Sequence, residues 1–247
     1  MVRWSSLARQ VLLLARIARG EVLTLAGVRL RLGLHLTPGV AAAIRDGHYE
    51  REEVAFVEAL VRPGDRLMEV GTGLGLVATV AARRLGDASV ATWEANPRIV
   101  AAARDTFALN GVAPTLHHGL VGARDGRADL FVPPDFWRAS TRRFRRLTHR
   151  VRVPMTSFTA ACDAARPTIL VVDAEGAELE LSACRGWEHA RVVVLEVHPE
   201  LIGRDGVATV LARLAERGLV VTRWCARRRV AVLERSAPRP QGEGGGT

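Results

Sequence analysis

The sequence contains no lysine, so arginine supplies all 35 of its basic side chains, against 26 acidic ones. The formal net charge of +9 attracts anionic partners such as nucleic acid, anionic lipid or phosphorylated substrates, but total charge determines neither the fold nor the reaction. Because alanine, valine and glycine are also abundant, a coding bias explains the arginine content equally well.

Cysteine is scarce, and its spacing excludes several kinds of site. Cys162, Cys184 and Cys225 are odd in number and form neither a C-x-x-C pair nor a Cys/His set with metal-ligand spacing. We therefore expect reduced structural thiols in an intracellular, cytoplasmic protein.

Long apolar runs are missing as well. The apolar stretch near the N-terminus, residues 4–20, is interrupted by Arg9 and Arg16 and is too short to span a bilayer. It also lacks the uninterrupted apolar region and the cleavage site of a signal peptide. We expect an amphipathic packing helix there and no transmembrane segment.

From residue 66 onward, apolar runs of strand length alternate with amphipathic runs of helical length. The predicted strands are 66–70, 89–94, 113–118, 168–173 and 190–197, and the predicted helices are 77–85, 97–111, 177–186 and 206–218. This alternation predicts a largely parallel sheet covered on both faces, which is a doubly wound α/β domain. Residues 219–235 predict an antiparallel hairpin at the sheet edge.

The remaining segments complete the expected organisation. Residues 1–45 predict an N-terminal extension with a helix and a small hairpin over 21–32. Residues 46–235 are the predicted domain, which begins with a helix over 50–61, and residues 236–247 predict a disordered tail. Between the strands 113–118 and 168–173 we expect an irregular segment.

The segment EVGTGLG, residues 69–75, places an acid and three alternate glycines between a predicted strand and a predicted helix. Positions without side chains let a turn pass beneath a bulky ligand, and the helix start offers unpaired N–H groups. A dinucleotide site needs G-x-G-x-x-G, whereas these glycines stand at every second position, so the pattern favours S-adenosylmethionine over NAD. The predicted cofactor-binding residues here are Glu69, Gly71, Thr72, Gly73 and Gly75.

The next predicted strand ends in Glu94, within the segment WEANP. A carboxylate at this place can accept both ribose hydroxyls of a cofactor, in NAD sites and in S-adenosylmethionine sites alike. We predict that Glu94 and the adjacent Ala95 contact the cofactor. The alternative interpretation is a structural glycine-rich turn followed by an ordinary acid at a strand end.

The segment TILVVDAEGAELEL, residues 168–181, contains four acids, of which Asp173, Glu175 and Glu178 are candidates for the site. Asp173 ends a strand expected near the sheet centre, where ligands bind beyond the carboxyl ends of the strands. Glu175 and Glu178 are expected on the first turns of the next helix. The alternative is that Asp173 caps this helix and that the two glutamates merely lie at its positive end.

The segments EVGTGLG, WEANP, ILVVDAEGAELEL and VVVLEVHPEL resemble, in this order and spacing, the FkbM family of S-adenosylmethionine-dependent methyltransferases. The resemblance covers residues 45–200 and is most specific in the D-x-E-G-x-E block. It implies a seven-stranded, mostly parallel Rossmann-like methyltransferase sheet, and O-methylation of a sugar, glycolipid or polyketide-type small molecule. The residues that match its acidic motif are Asp173, Glu175, Gly176 and Glu178, and Glu196 and His198 match a later E-x-H motif.

Methyl transfer from a sulfonium is an in-line displacement, and a hydroxyl acceptor must also lose its proton. His198 is one candidate general base, and Asp173 or Glu175 is the competing candidate. The plain alternative for His198 is an inert histidine at a strand end. The predicted catalytic residues are Asp173, Glu175, Glu178 and His198. These side chains also suit a divalent ion, but their convergence is not visible in a sequence, so no metal ligand is assigned.

The chain departs from the family pattern at several positions. Val171 stands where lysine is expected, Thr72-Gly73 replaces Ala-Asn, and Glu69 replaces aspartate. Loss of the lysine calls the geometry of the substrate side into question. These departures favour, as an alternative function, a cofactor-binding domain without activity.

Residues 136–153 carry seven arginines between 138 and 152, with Trp137 and Phe144 among them. Arginine forks bind phosphate or carboxylate groups, and aromatic rings stack on sugars or bases. The segment predicts an acceptor-binding insertion, and it is the basis for RNA methylation as another alternative function. A solvated strand pair explains the pattern equally well.

Overall fold

The computed structural model describes residues 11–33, 35–132 and 149–236. The strands are β1 Val22–Leu25, β2 Val28–Arg31, β3 Leu67–Val70, β4 Val90–Glu94, β5 Thr115–His118, β6 Leu120–Gly122, β7 Gly126–Val132, β8 His149–Ser157, β9 Ile169–Val172, β10 Val192–Glu196, β11 Leu219–Cys225 and β12 Val230–Arg235. The helices are α1 (residues 11–18), α2 Pro38–Arg45, α3 Arg51–Leu60, α4 Leu76–Leu85, α5 Pro97–Asn110, α6 Phe158–Ala165, α7 Glu178–Leu181 and α8 Pro199–Glu216.

Seven of these strands form one sheet in the order β11-β12-β10-β9-β3-β4-β5. The strands from β10 to β5 run parallel, β12 runs antiparallel to β10, and β11 runs antiparallel to β12. The predicted doubly wound α/β sheet is therefore confirmed, with seven strands and an antiparallel C-terminal hairpin. Because β9 and β3 are neighbours at its centre, a ligand site is expected where their carboxyl ends meet.

Hydrophobic cores lie on both faces of this sheet. Alternate residues of a strand point to opposite faces, so Leu67 and Ile169 pack in one core, whereas Met68 and Leu170 pack in the other. Residues of α3, α4 and α5 fill the first core, and residues of α6 and α8 fill the second. A strand that is buried on both faces must be apolar throughout, which explains the ILVV sequence of β9.

The predicted N-terminal hairpin is confirmed. β1 and β2 pair antiparallel around Ala26 and Gly27, whose φ angles of 49° and 74° suit a two-residue hairpin turn. Val28 and Leu30 of β2 are buried in the same core as α3 and α4. The N-terminal extension therefore packs onto the domain, and its boundary at residue 45 stays a prediction.

Two regions differ from expectation. The segment between β5 and β9, which was expected to be irregular, contains a second sheet ordered β6-β8-β7. The helix predicted over 177–186 is only the single turn α7. Ser182 follows it directly and donates its hydroxyl to the Leu179 carbonyl at 2.9 Å, a local bond of the kind that competes with helix continuation.

Several sequence predictions lie outside the described residues. These are the N-terminal part of the first helix, most of the arginine-rich segment 136–153, and the predicted tail beyond residue 236. Within the segment, Arg150 and Arg152 are described; they lie on β8 and are exposed. Among the described helices, none has the length and apolarity that crossing a bilayer requires.

Candidate active site

A cavity of about 540 Å³ lies at the carboxyl ends of β3, β4, β9 and β10. This volume is in the range of small-molecule sites, roughly 300–1,000 Å³. Its wall includes residues from the β3–α4 loop, the ends of the other three strands, the connection between α2 and α3, and the second sheet. The sequence-predicted residues that line it are Gly71, Gly73, Glu94, Ala95, Asp173 and Glu175.

Residues 71–75, between β3 and α4, are here called the cofactor loop. The amides of Gly71 and Thr72 both donate to the Trp93 carbonyl oxygen, each at 3.0 Å. Gly71 has a φ of 90°, and a Cβ at this position would collide with the backbone carbonyl oxygen of Asp173. Only glycine therefore lets the loop lie against the end of β9.

Glu69 and Thr72 support the cofactor loop from behind, and neither lines the cavity. Glu69 is 2% exposed and accepts a hydrogen bond from Thr92 Oγ1 at 2.5 Å, while the Thr92 hydroxyl is also paired with that of Thr72. Burial raises the pKa of Glu69 to about 8. Gly75 caps α4 and also lies off the cavity wall. The structure therefore places Glu69, Thr72 and Gly75 behind the cavity wall, and their contact with a cofactor stays a prediction.

Glu94 lines the cavity, and backbone groups hold its carboxylate in place. Oε1 accepts from the Asn96 amide at 2.7 Å, and Oε2 accepts from the Gly73 amide at 3.2 Å. Burial raises the pKa of Glu94 to about 7 in spite of these bonds. Because both oxygens are already oriented, little ordering remains to be done when a ligand binds.

The D-x-E-G-x-E and E-x-H motifs meet beside the cavity, and their side chains are here called the acidic cluster: Asp173, Glu175, Glu178, Glu196 and His198. Nε2 of His198 lies 3.6 Å from Oδ1 of Asp173 and 3.7 Å from Oε2 of Glu175. It also lies 3.8 Å from Oε1 of Glu196. All four predicted catalytic residues are thus brought together.

Asp173 and Glu175 reach the acidic cluster from a turn. Glu175 has a φ of 46°, and α7 begins only at Glu178, with Ala177 at its N-cap. The prediction that Glu175 lies on a helical turn is wrong, and so is the alternative that Asp173 caps the helix. A left-handed conformation at a residue other than glycine costs about 1–3 kcal/mol and is concentrated at functional sites.

Glu178 holds the His198 ring in place. Nδ1 of His198 lies 2.7 Å from Oε1 of Glu178, and the same oxygen accepts from the Gly176 amide at 3.0 Å. Glu178 is 1% exposed and His198 is 6% exposed. This contact turns Nε2 toward the three other carboxylates of the acidic cluster.

The charge state of His198 follows from these neighbours. Burial alone would lower its pKa, but the Glu178 hydrogen bond and the charges of Asp173 and Glu175 outweigh burial and raise the pKa to about 10. The ring is therefore protonated at neutral pH and cannot accept a further proton. Burial raises the pKa of Asp173 above its ordinary value. This charge state favours the competing candidates, Asp173 and Glu175, and the identity of the general base stays a prediction.

The segment GHYEREE, residues 47–53, adds acids to the cavity wall that carried no role in the sequence-based prediction. Burial raises the pKa of Glu53 to about 7 and that of Glu50 well above its usual range. Arg228, from the turn between β11 and β12, places Nε 3.5 Å from Oε2 of Glu52 at the same wall. The sequence feature that could have indicated a role for these residues is the high density of acids in the segment.

Val171, where the FkbM pattern has lysine, lies in the hydrophobic core. It is 5% exposed and belongs to the same core as Val192 and Val194 of β10. An apolar side chain fills the position, so the departure adds packing at the place where the family has a charge.

Residues 31–132 match the family model of ribosomal protein L11 methyltransferase (PrmA). A relative of that name from Symbiobacterium thermophilum is 35% identical over 102 residues, which is 41% of this chain and 33% of the relative. Another, from Thiobacillus denitrificans, is 36% identical over 91 residues, which is 37% of this chain and 30% of the relative. The chain spans about a third of the length of the curated relatives it matches.

Solved methyltransferase structures are also similar. Ribosomal protein L11 methylase from Lactobacillus delbrueckii subsp. bulgaricus matches with a TM-score of 0.43 and 16% identity, over 73% of each chain. Precorrin-6y C5,15-methyltransferase from Geobacter metallireducens matches with a TM-score of 0.47 and 13% identity, over 76% of this chain and 87% of that one. These weak likenesses carry no functional argument.

The family match contains the cofactor loop and Glu94 and ends before the acidic cluster. It supports a methyltransferase of the S-adenosylmethionine-dependent class, and not the FkbM family itself.

Proposed function

We propose that the protein is an S-adenosylmethionine-dependent methyltransferase whose donor and acceptor sites share the cavity described above. The observation that carries this proposal is that one cavity is lined by Glu94 and the cofactor loop and also by Asp173 and Glu196. An in-line displacement requires the donor carbon and the acceptor atom to meet, so both sites must open into the same space.

The donor side fits this cofactor. Gly71 and Gly73 leave the wall free of side chains, and Glu94 presents a carboxylate that can accept two ribose hydroxyls. The cofactor supplies an electrophilic methyl group on a positively charged sulfur. The carboxylates along the cavity favour such a cation.

We place a hydroxyl acceptor at the acidic cluster. Its carrier is a sugar, glycolipid or polyketide-type small molecule, as the FkbM resemblance implies. Asp173 and Glu175 line the cavity and are the carboxylates to which the hydroxyl proton passes. Glu178 orients His198, whose positive charge opposes the rise in pKa that burial causes at Asp173 and Glu196.

A second candidate acceptor is a positively charged group of a protein. The matched relatives are named for a protein substrate, ribosomal protein L11. The acids on the cavity wall, among them Glu53, Asp173 and Glu196, complement a cation. The family match ends at residue 132, however, and does not include the acidic cluster.

RNA is a third candidate acceptor, and its basis is the arginine-rich segment 138–152. Steep loss of RNA binding with rising salt would support it, whereas no RNA retention at low salt would exclude it. An inactive cofactor-binding domain and an NAD oxidoreductase are the remaining alternatives. We propose the cytoplasm as the compartment, because all three cysteines are free thiols.

Labelled S-adenosylmethionine, incubated with the protein and with separate fractions of host lipids and glycans, ribosomal proteins and RNA, tests the acceptor. We expect label in the lipid and glycan fraction. Label in the ribosomal proteins or in the RNA would replace the hydroxyl proposal with the corresponding candidate.

Calorimetry tests the donor. S-adenosylmethionine should bind with one equivalent per chain, and NAD, the matched control, should not bind. Binding without transfer to any fraction would favour the inactive domain, and preference for NAD would overturn the proposed cofactor.

A further inference from the structure

Three donor atoms of the acidic cluster lie within 4.8 Å of one another: a carboxylate oxygen each of Asp173 and Glu196, and a ring nitrogen of His198. The distances of 3.6 and 3.8 Å from Nε2 to the two carboxylates are too long for hydrogen bonds. Metal bonds of about 2.1 Å place neighbouring ligand atoms about 3.0 Å apart in an octahedral site and about 3.4 Å apart in a tetrahedral one. A small inward shift of the side chains therefore completes a metal-ligand set.

The His198 ring is oriented as it is in metal sites. Metal-binding histidines usually donate the other ring N–H to a carboxylate, which fixes the ring. Here Nδ1 lies 2.7 Å from Oε1 of Glu178, whose side chain is 0% exposed. The His198 side chain is 8% exposed, and its second nitrogen, Nε2, faces the carboxylates.

One oxygen of the ligand set lacks a hydrogen-bond partner, as do buried oxygens of Glu50, Glu52 and Glu178 among the described residues. Oδ1 of Asp173 is shielded from solvent and has no hydrogen-bond partner within the part of the chain that the structure describes, although the Asp173 side chain is 40% exposed. Buried polar atoms without partners are rare in native proteins, and one in a cavity wall indicates an ion, water or ligand. This oxygen is the same atom that lies 3.6 Å from Nε2 of His198.

We propose that Asp173, Glu196 and His198 bind one divalent metal ion at the wall of the cavity. Two carboxylates with one imidazole suit Mn²⁺ and related first-row ions better than Ca²⁺, whose ligands are all oxygen. Three protein ligands leave coordination positions open toward the cavity.

The use of this ion in catalysis rests on the methyl transfer proposed above, but its binding does not. A divalent ion lowers the pKa of a hydroxyl that binds beside it. The hydroxyl proton then passes to Glu175, whose Oε2 lies 3.7 Å from Nε2 of His198. The oxygen forms a bond to the methyl carbon, and the carbon–sulfur bond breaks with its electron pair on sulfur.

Mn²⁺ binding is tested by EPR titration of the intact protein. One equivalent should bind, and Asp173→Asn and Glu196→Gln should each weaken binding by at least about tenfold. Glu180→Gln is the matched control, because it removes the same charge from the wall of the same cavity, and it should leave the affinity unchanged. Equal loss in all three variants would mean diffuse attraction to acids and would overturn the site.

Pulsed EPR of the wild-type complex keeps the test valid if a variant does not fold. The spectrum should show coupling to an imidazole nitrogen, and Glu178→Gln should weaken binding by about 10–100-fold while that coupling remains. Absence of stoichiometric Mn²⁺ binding, or of nitrogen coupling, would overturn the proposal.

Transfer assays with EDTA, followed by Mn²⁺ or Mg²⁺, test the catalytic use separately. If metal binds but transfer is unaffected by EDTA, the site exists without the catalytic role. If neither donor binding nor transfer occurs, the proposed function has failed while the metal site still stands on its EPR result.

Discussion

The donor side and the acceptor side of the cavity differ in how their acids are satisfied. On the donor side, Glu94 accepts two backbone amides and Glu69 accepts the Thr92 hydroxyl. On the acceptor side, Oδ1 of Asp173 is buried without a partner, and Nε2 of His198 lies beyond hydrogen-bond distance from three carboxylates. The described chain supplies hydrogen-bond partners for Glu94 and Glu69, but not for Oδ1 of Asp173 or for one buried oxygen each of Glu50 and Glu52 on the cavity wall.

The family match divides the molecule in the same way. It spans residues 31–132, which include the cofactor loop and Glu94, and it leaves out β9, β10 and the acidic cluster. Function resides in sites that a fold carries, so likeness at the donor side does not transfer an acceptor. The substrate of this protein must therefore be read from the acceptor side.

Asp173→Asn should produce the largest effect and should separate the two sides. We expect kcat to fall by at least about 100-fold, the usual range for loss of a general base or metal ligand, while S-adenosylhomocysteine binding changes little. Turnover and calorimetry on the same preparation measure both. Glu180→Gln is the control of equal charge change, and its kcat should match that of the wild type. If Asp173→Asn lowers cofactor binding as much as it lowers turnover, the donor side and the acceptor side do not act separately.

Glu94→Ala should produce the reverse pattern. Removal of a carboxylate that accepts two hydroxyls should weaken the binding of S-adenosylhomocysteine by about 100-fold or more, because hydrogen bonds to charged groups contribute about 1.5–3 kcal/mol each. Glu94→Gln keeps one acceptor oxygen and should show a smaller loss. Mn²⁺ affinity should not change in either variant. Normal binding with lost turnover would contradict the role assigned to Glu94.

The pH dependence of cofactor binding should sharpen the donor side further. The pKa of Glu94 is about 7 in the free protein, and ribose hydroxyls donate only to its ionised oxygens at full strength. Affinity for S-adenosylhomocysteine should therefore fall below pH 7, by up to about tenfold per pH unit. Calorimetry across this range checks it, and Glu94→Gln shows how much of the slope comes from other acids of the cavity wall, such as Glu53. If the affinity of the wild type for S-adenosylhomocysteine does not change across this pH range, protonation of Glu94 has no effect on binding.

Glu69→Gln should have the smallest effect, on folding alone. The folded pKa of Glu69 is about 8, above the ordinary value of 4.5, so folding takes up a proton between these two values. The contribution of Glu69 to stability is thus complete at low pH and is lost as pH rises through about 8. Between pH 7 and 8 the free energy of unfolding of wild type should fall by on the order of 1 kcal/mol more than that of the variant. Urea unfolding at both pH values measures the difference, and an equal change in wild type and variant would refute the raised pKa of Glu69.

The fold was predictable where the chain repeats a strong pattern. The strands β3, β9 and β10 are apolar runs of strand length, and each is followed by a glycine-containing turn or by proline. The second sheet was missed because β6 has only three residues and β8 carries exposed arginines. The helix after Asp173 was overestimated, because its amphipathic sequence continues beyond the single turn that the structure forms.

In the candidate site, too, the sequence predicts the positions of some residues and not of others. The positions of Gly71, Gly73 and Glu94 at the ends of neighbouring strands follow from local spacing, and the structure confirms that they share a cavity. Glu69 and Thr72 have the same local pattern, yet their burial behind the loop depends on Thr92 of the next strand. Spacing along the chain specifies which strand end a residue occupies, and it does not specify which residues face the solvent.

Alternation of apolar and helical runs was enough to establish the doubly wound sheet, because each strand must be apolar on every face that it buries. It also placed Asp173 at the end of an inner strand. Only the tertiary structure decided which charges surround that acid, because Glu178 of α7, Glu196 of β10 and His198, which precedes α8, meet only in the folded chain. The charge of His198 and the unsatisfied oxygen of Asp173 are sums over these distant neighbours, since electrostatic energy depends on distance in space and not on separation along the chain.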